Sequence, residues 1–515
     1  MLFTVLPAGF QPPDGEGPHA YLIKDNWDDW FKYSTLHHLF IRDSRGSLHE
    51  IGHVKIGQFG MLQGQRSPDL SNDFEEVPSN VFSLGQDDSY YQNLRKLNTD
   101  LRDEILTALH DIALDQALFK RALSEDVTGT SLLRSVSRAT VEGQFRRLAT
   151  NGPRLTRYAF TYTLPPSSRS DSTPASLEFE VKPNSNPPTN VHVLIGRNGV
   201  GKTHFLYNMS RALADNNATE EEVGTFQFGT PGSPAGRFAN LVSVTFSAFD
   251  PFEPISSPQN KAAGLQYTYI GLKKIRPSNT DKPLPPKDHR AIAREFSMSV
   301  KVCVQGARLA RWRRALQMLE ADPIFNDAGV AELADSASNE DELSGRALML
   351  FRNLSSGHKI VLLTITRLVE SVEERSLVLL DEPEAHLHPP LLSAFTRALS
   401  DLLRNRNGVA IIATHSPVIL QEVPQSCAYK LRRSGFELVA ERPDIETFGE
   451  NVGVLTREVF GLEVTHSGFH RLLGEALKEG GTYQELIERF DGQLGSEARG
   501  IMRGLIAARD AEAGA

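Results

Sequence analysis

Gly196, Arg197, Asn198, Gly199, Val200, Gly201, Lys202 and Thr203 carry the spacing Gly-x-x-x-x-Gly-Lys-Ser/Thr. The run follows a short apolar stretch, residues 191–195, and opens a helical pattern. Strand, loop and helix in that order suit the chemistry of phosphate binding. The glycines let backbone N–H groups from Asn198 to Thr203 point at phosphate oxygens, and the helix N-terminus adds partial positive charge. The spacing assigns Lys202 to the β- and γ-phosphates of ATP and the Thr203 hydroxyl to Mg²⁺.

A second group lies at residues 376–390, SLVLLDEPEAHLHPP. An acid at the end of a buried strand is costly unless it meets a cation or is hydrogen-bonded. Asp381 therefore reads as the acid that holds Mg²⁺ through water, and Glu382 as the general base that polarises the attacking water. His386 and His388 have a known metal-ligand spacing. No Cys or carboxylate cluster surrounds them in the sequence, so a structural role for the loop is the competing reading.

These groups need a scaffold. Apolar strand patterns at 191–195, 241–246, 377–381 and 409–415 alternate with helical patterns, which argues for an α/β core with a parallel sheet. Upstream, residues 36–57 read as a β-hairpin turning at 43–46. Residues 90–123 read as one helix with Leu94, Leu97, Leu101, Ile105, Leu109 and Ile112 on one face. A second helix is expected over 132–148, then strands at 157–164 and 176–182. Residues 273–287 form a Pro-rich basic loop. The helix expected over 288–321 carries Arg290, Arg294, Lys301, Arg308, Arg311, Arg313 and Arg314. That face either meets DNA phosphates or is a solvated face paired with acidic loops. Trp27 and Trp30 belong to a core or to a docking surface. Past residue 448 the tail is helical. The division is 1–150, 151–260, 261–343 (a helical insertion), 344–440 and 441–515.

Composition narrows the classes. With 55 Lys+Arg against 64 Asp+Glu and a net charge of −9, a uniformly basic nucleic-acid binder is excluded, though a local basic patch is not. Two cysteines, Cys303 and Cys427, make no disulfide framework and fit a reducing compartment. No apolar stretch is long enough to span a bilayer, and the N-terminus lacks the features of a signal peptide. The expectation is a soluble, cytoplasmic protein with no membrane partner.

Leu354-Ser355-Ser356-Gly357-His358 opens a helix and resembles the signature motif of ABC-type ATPases, usually LSGGQ or LSGGE. Residues 413–417, Ala-Thr-His-Ser-Pro, end an apolar strand and resemble the switch-histidine segment, with His415 as the histidine. Order and spacing match an ABC-type ATPase head. The form DEPEAHLHP followed by THSP resembles the branch related to OLD, RecF and SMC proteins. The resemblance covers residues 158–431 and implies an α/β fold of P-loop NTPase, ABC-head type, with a mixed N-terminal region, a helical insertion and a helical C-terminal tail. It further implies a homodimer or higher oligomer formed through the ATP heads. Ser355, Ser356 and Gly357 of one subunit would donate to the γ-phosphate held by the other, and His415 would contact that phosphate in cis. Ser356 and His358 depart from the motif. No glutamine follows the strand at 241–246, where only Ser247 and Asp250 stand. The interval from Thr203 to Leu354 is too short for an SMC arm, and no Toprim-type acidic cluster follows His415. Standalone ATPases of this type resemble the ATPase subunits of anti-phage defence systems, Septu-like pairs included. That implies control of a separate effector, a nuclease from a neighbouring gene. A RecF-like ATPase of DNA repair is the alternative, and a transporter ATPase is disfavoured.

Overall fold

The computed structural model describes residues 1–15, 17–29, 32–62, 64–97, 99–166, 174–229, 238–247, 252–255, 265–275, 284–335, 340–434, 437–461 and 468–513. At its centre is a seven-stranded sheet. The strand order is Gln266–Gly271, Asn240–Thr245, Leu377–Asp381, Val409–Thr414, Val191–Gly196, Ala428–Ser434, Glu437–Glu441. The first six strands run parallel and the last is antiparallel. Val191–Gly196 and Val409–Thr414 are buried at every position. A strand covered on both faces has no polar side to show, so its sequence is a continuous apolar run.

Alternate residues divide the sheet's two cores. Leu377, Leu379, Val409 and Ile411 pack with Phe205, Leu206 and Met209 of the helix Lys202–Ala214. Val378, Leu380, Ala410 and Ile412 pack with Val361, Ile365 and Leu368 of the helix Ser356–Ser371 and with Leu391 and Leu399 of Pro389–Asn405. A three-stranded antiparallel sheet, Thr225–Phe228, Tyr158–Thr163 and Ser176–Val181, closes the first core. The insertion helices share the second core, with Phe296 stacked on Phe351 and Trp312 fully buried.

The N-terminal region builds its own six-stranded sheet and its own core. The expected hairpin is present as Leu36–Arg42 and Leu48–Gln58. Inside this region Lys55 donates to Asp29 at 2.7 Å, both side chains being almost fully buried. Asp29 also accepts from Ser131 Oγ and Arg134, so the buried charges are matched rather than orphaned. Trp27 shares this cluster, donating Nε1–H to Asp29. Trp30 lies outside the described residues.

Three helix expectations need correction. The single helix over 90–123 is three: Asp88–Leu97, Thr99–Ala108 and Gln116–Ala122. The periodicity was informative, since Leu94, Ile105, Leu109 and Ile112 are buried. Continuity fails because Asp111 accepts from the N–H groups of Ala113 and Leu114, and Asp115 caps the third helix. The helix expected from residue 132 starts at Arg138, capped by Ser137, after a separate wide turn at Thr128–Leu132. The helix over 288–321 is two, His289–Cys303 and Ala307–Leu319, broken at Gly306 in the left-handed region.

Arg290 and Arg294 on the first helix are exposed, whereas the arginines of the second have partners within the chain. Arg308 donates to Ser135 O, Arg311 pairs with Asp87, Arg313 with Asp335 and Arg314 with Asp401. The side chains are used within the chain, against the N-terminal region and the helix Pro389–Asn405 as well as locally. The C-terminal tail is helical as expected, with Gly468–Lys478, Tyr483–Arg489 and Ser496–Ala513 around a small core of Leu473, Leu486 and Met502. Cys303 and Cys427 are buried and unpaired with each other. Among the described residues no helix is long and apolar enough to cross a membrane.

Candidate functional site

The sheet registers bring the expected residues to one edge. Asp381 stands opposite Ala413, and Thr414 opposite Ile195, so the carboxyl ends of three adjacent strands open on the same crevice. Ligands of open α/β sheets bind at such ends. The loop at 196–203 lies there, and its glycines serve two different needs. A Cβ on Gly196 would fall 2.4 Å from Leu431 O, so the neighbouring strand demands glycine. Gly201 has φ +103, and its need is conformational.

Lys202 begins the helix with its side chain 3% exposed. Its Nζ donates to Gly196 O and Arg197 O, both at 3.0 Å, so the ammonium folds back over the loop's own carbonyls. Glu382 Oε1 lies 3.6 Å from Lys202 Nζ and 3.7 Å from His415 Nδ1. Glu382 itself sits in the left-handed region at φ 45, with its N–H donated to Ala413 O. A non-glycine residue held there costs roughly 1–3 kcal/mol and persists only where the surroundings fix it. Here the switch strand fixes it.

Glu384 was not singled out from sequence. It accepts from Thr414 Oγ1 and from His415 N at 2.7 Å, and its Oε1 lies 3.1 Å from His415 Nδ1. It thus ties the acid loop to the switch segment. Its place two residues after Glu382 was the available signal.

Thr203 and Asp381 border one cavity of about 40 Å³ together with Ser243, Tyr207, Phe252 and Glu253. A hydroxyl and a carboxylate are hard oxygen donors, which fits Mg²⁺. Of the two residues read at the missing glutamine's place, Asp250 lies outside the described residues. Glu253, three positions on, is a carboxylate that sequence reading passed over. Phe252 stacks on Tyr207 with ring centroids 4.2 Å apart.

The signature residues sit apart from this cluster. Ser355 caps the helix Ser356–Ser371. A Cβ on Gly357 would lie 2.4 Å from His386 O, so the signature turn rests directly on the acid loop. Among the described residues, Ser355, Ser356 and Gly357 make no hydrogen bond to the phosphate loop. His388 Nε2 lies 3.3 Å from Asp322, whereas His386 is exposed. Among the described residues no group of three His, Cys, Asp or Glu side chains is arranged to hold a metal ion.

Residues 313–421, which hold the signature, the acid pair and His415, match the family described as "AAA domain, putative AbiEii toxin, Type IV TA system". Among solved structures, an inward-facing ABC transporter of metal-chelate type matches over 61% of this chain and 89% of its own, at 15% identity and TM-score 0.30. The ATP-binding cassette of an ABC transporter in its ADP conformation matches over 52% and 85%, at 12% identity and TM-score 0.26. The fold is α/β, with the loop at 196–203 joining a buried parallel strand to a helix as in P-loop NTPases. Protein ea59 of Escherichia phage lambda is 41% identical, with 99% of this chain and 98% of that protein aligned. The chain therefore belongs to the family of protein ea59 of Escherichia phage lambda.

Proposed function

We propose that the chain is an ATP hydrolase whose head pairs on ATP with that of a second copy and whose cycle controls a separate effector protein. The observation that carries this is the convergence of Lys202 and His415 on Glu382, at 3.6 and 3.7 Å, at the carboxyl ends of adjacent strands. Backbone N–H groups of 198–203 and Lys202 bind the phosphates. Glu382 accepts a proton from the attacking water, from a position 3.6 Å from Lys202 Nζ and 3.7 Å from His415 Nδ1. His415, held by Glu384, faces the γ-phosphate. Thr203 and Asp381 would hold Mg²⁺, which supplies charge neutralisation at the phosphates when bound.

Ser355, Ser356 and Gly357 donate to the γ-phosphate bound by a second copy. Preorganised donors aimed at developing charge are the main source of rate enhancement in such sites. The effector is read as a nuclease encoded nearby, and the phage origin of protein ea59 suits a role in the contest between phage and host. The RecF-like reading stays the alternative: Arg311 and Arg314 are engaged by Asp87 and Asp401, whereas Arg290 and Arg294 of the same expected face are exposed.

The test is Glu382→Gln. It should bind ATP as the wild type does and accumulate as ATP-bound pairs, with hydrolysis reduced at least about a hundredfold. Hydrolysis at the wild-type rate would overturn the general-base assignment. Mixing Lys202→Ala with Ser356→Arg, each inactive alone, should restore part of the activity through one intact composite site. No rescue at any ratio counts against sharing in trans.

A further inference from the structure

His358 stands where the signature motif usually has Gln or Glu, and in sequence it looks like a weakening. The structure gives it a defined job. The imidazole is buried, with Phe325 edge-on at 4.9 Å between ring centroids. Its Nδ1 lies 2.6 Å from Ser355 Oγ, and its Nε2 lies 3.1 Å from Asp322 Oδ1. Asp322 comes from the helical insertion, and its side chain is 2% exposed. The same carboxylate caps the short helix Pro323–Asp327, accepting from Ile324 N and Phe325 N. Its second oxygen lies 3.3 Å from His388 Nε2 on the acid loop.

The chemistry of the contacts sets their direction. A carboxylate only accepts, so the imidazole proton belongs on Nε2. Nδ1 is then an acceptor, and Ser355 Oγ–H donates to it. The serine oxygen is therefore held from behind, by a ring that a buried, multiply bonded carboxylate holds in turn. A histidine anchored this way has one tautomer and one orientation.

We propose that Asp322 and His358 are positioning residues that fix the signature Ser355 hydroxyl for contact with the partner copy's γ-phosphate. His388 joins this relay to the acid loop. The proposal rests on the trans-signature reading above. It assigns to the insertion, through Asp322, a part in building the site. The pair holds the hydroxyl in the resting copy; on contact with the partner's γ-phosphate the single hydroxyl proton exchanges its bond to Nδ1 for one to the phosphate, while the oxygen stays at the helix cap, accepting from His358 N.

The experiment is steady-state ATP hydrolysis by the full-length protein, with thermal unfolding as the folding check. Ser355→Ala should lower kcat about a hundredfold, as expected for loss of one donor to the transition state, with KM for ATP little changed because the phosphate loop binds in cis. His358→Phe keeps a ring but removes both bonds, and it should lower kcat to the same degree. The double variant should be no slower than either single one, since His358 acts only through Ser355. His358→Gln should stay within about twofold of wild type, because its amide can both accept from Ser355 and donate to Asp322. If His358→Phe does not fold, Asp322→Asn retains the helix cap and removes the charge behind the ring. It should lower kcat, and that effect should vanish in a Ser355→Ala background. Losses that multiply in the double variants would overturn the proposal, as would wild-type kcat in both His358→Phe and Asp322→Asn when Ser355→Ala is impaired. Wild-type kcat in Ser355→Ala itself would remove the trans-signature reading, and the proposal with it.

Discussion

At the carboxyl ends of the central strands, Glu382 stands 3.6 Å from Lys202 and 3.7 Å from His415, and Glu382 and His415 are 31% and 42% exposed. At the amino ends, charge is arranged in the opposite way. Arg406, just before the switch strand, donates to Asp88 at 2.9 Å and Asp87 at 2.7 Å from the N-terminal region. Asp88 also pairs with Arg154, and Asp87 with Arg311. Glu373, between the signature helix and the acidic strand, accepts from Ser137 N and Thr140 Oγ1. Glu374 pairs with Arg147. One end leaves charges spaced and partly wet, ready for a charged ligand. The other end satisfies them within the chain and anchors a domain. The helix Ser356–Ser371 runs between the two, from the signature at its start to Glu373 just beyond its end. Under the proposed cycle, closure of the paired heads would have in that helix a direct physical route to the N-terminal region.

Removing one cation from each end should separate these roles most sharply. Lys202→Ala should cost nucleotide binding about 2–5 kcal/mol, the usual loss when one partner of a desolvated charge pair is truncated, with only a small change in unfolding midpoint. Titration of a fluorescent ATP analogue measures the first and a thermal melt the second. Affinity near wild type would break the assignment of the carboxyl end as the nucleotide site.

Arg406→Met should do the reverse. Burial would raise the Asp87 carboxyl, but Arg406 overcomes that and holds it at about 2. Without the guanidinium the buried carboxylates lose their main partner, and breaking a buried pair costs about 3–5 kcal/mol. The folded variant should still bind ATP normally. A loss of nucleotide affinity with unchanged stability would contradict the anchoring role.

The contrast also explains what was legible in the sequence. Lys202, Asp381, Glu382 and His415 lie at the ends of apolar runs, and local pattern alone shows both the run and its chemistry. Asp87 and Asp88 look like a solvated turn before a helix. Their partner Arg406 lies more than three hundred positions away, and no local periodicity records such a pairing. His358 looks like a departure from its motif for the same reason, since Asp322 is 36 positions earlier. The parallel pairing of Leu2–Leu6 with His19–Lys24 is likewise set by tertiary contact, whereas the hairpin at Leu36–Arg42 and Leu48–Gln58 announces itself through its turn. Buried charge networks are long-range objects, and they account for most of what the sequence hid.

Gly357→Ala offers a test of the link between the ends. The added methyl would meet His386 O, and relief requires the signature helix or the acid loop to shift. Overpacking of this kind costs about 1–3 kcal/mol. Hydrolysis at saturating ATP should fall while ATP affinity is kept. Unchanged hydrolysis would show that the close seat of the signature on the acid loop is dispensable.

The smallest expected effect concerns acid. His192 is fully buried near the start of the phosphate-loop strand, its ring edge-on to Phe179 at 5.2 Å. Burial first, and then the Arg442 charge, push the imidazole down to about 3. The folded chain therefore keeps His192 neutral across mildly acidic pH, whereas the unfolded chain protonates it below about 6.5. More protons are bound by the unfolded state in that window, so stability is lost as pH falls through it. At about pH 5 the share due to His192 is about 2 kcal/mol. Asp88 and Asp111, both pushed up to about 6 by burial, act in the opposite sense over the same range. A difference measurement removes their contribution. His192→Leu should lose about 2 kcal/mol less than wild type between pH 7 and pH 5 in urea unfolding. Parallel curves for the two proteins would mean that the folded state admits the proton, and that the amino end of the sheet is less dry than its packing indicates.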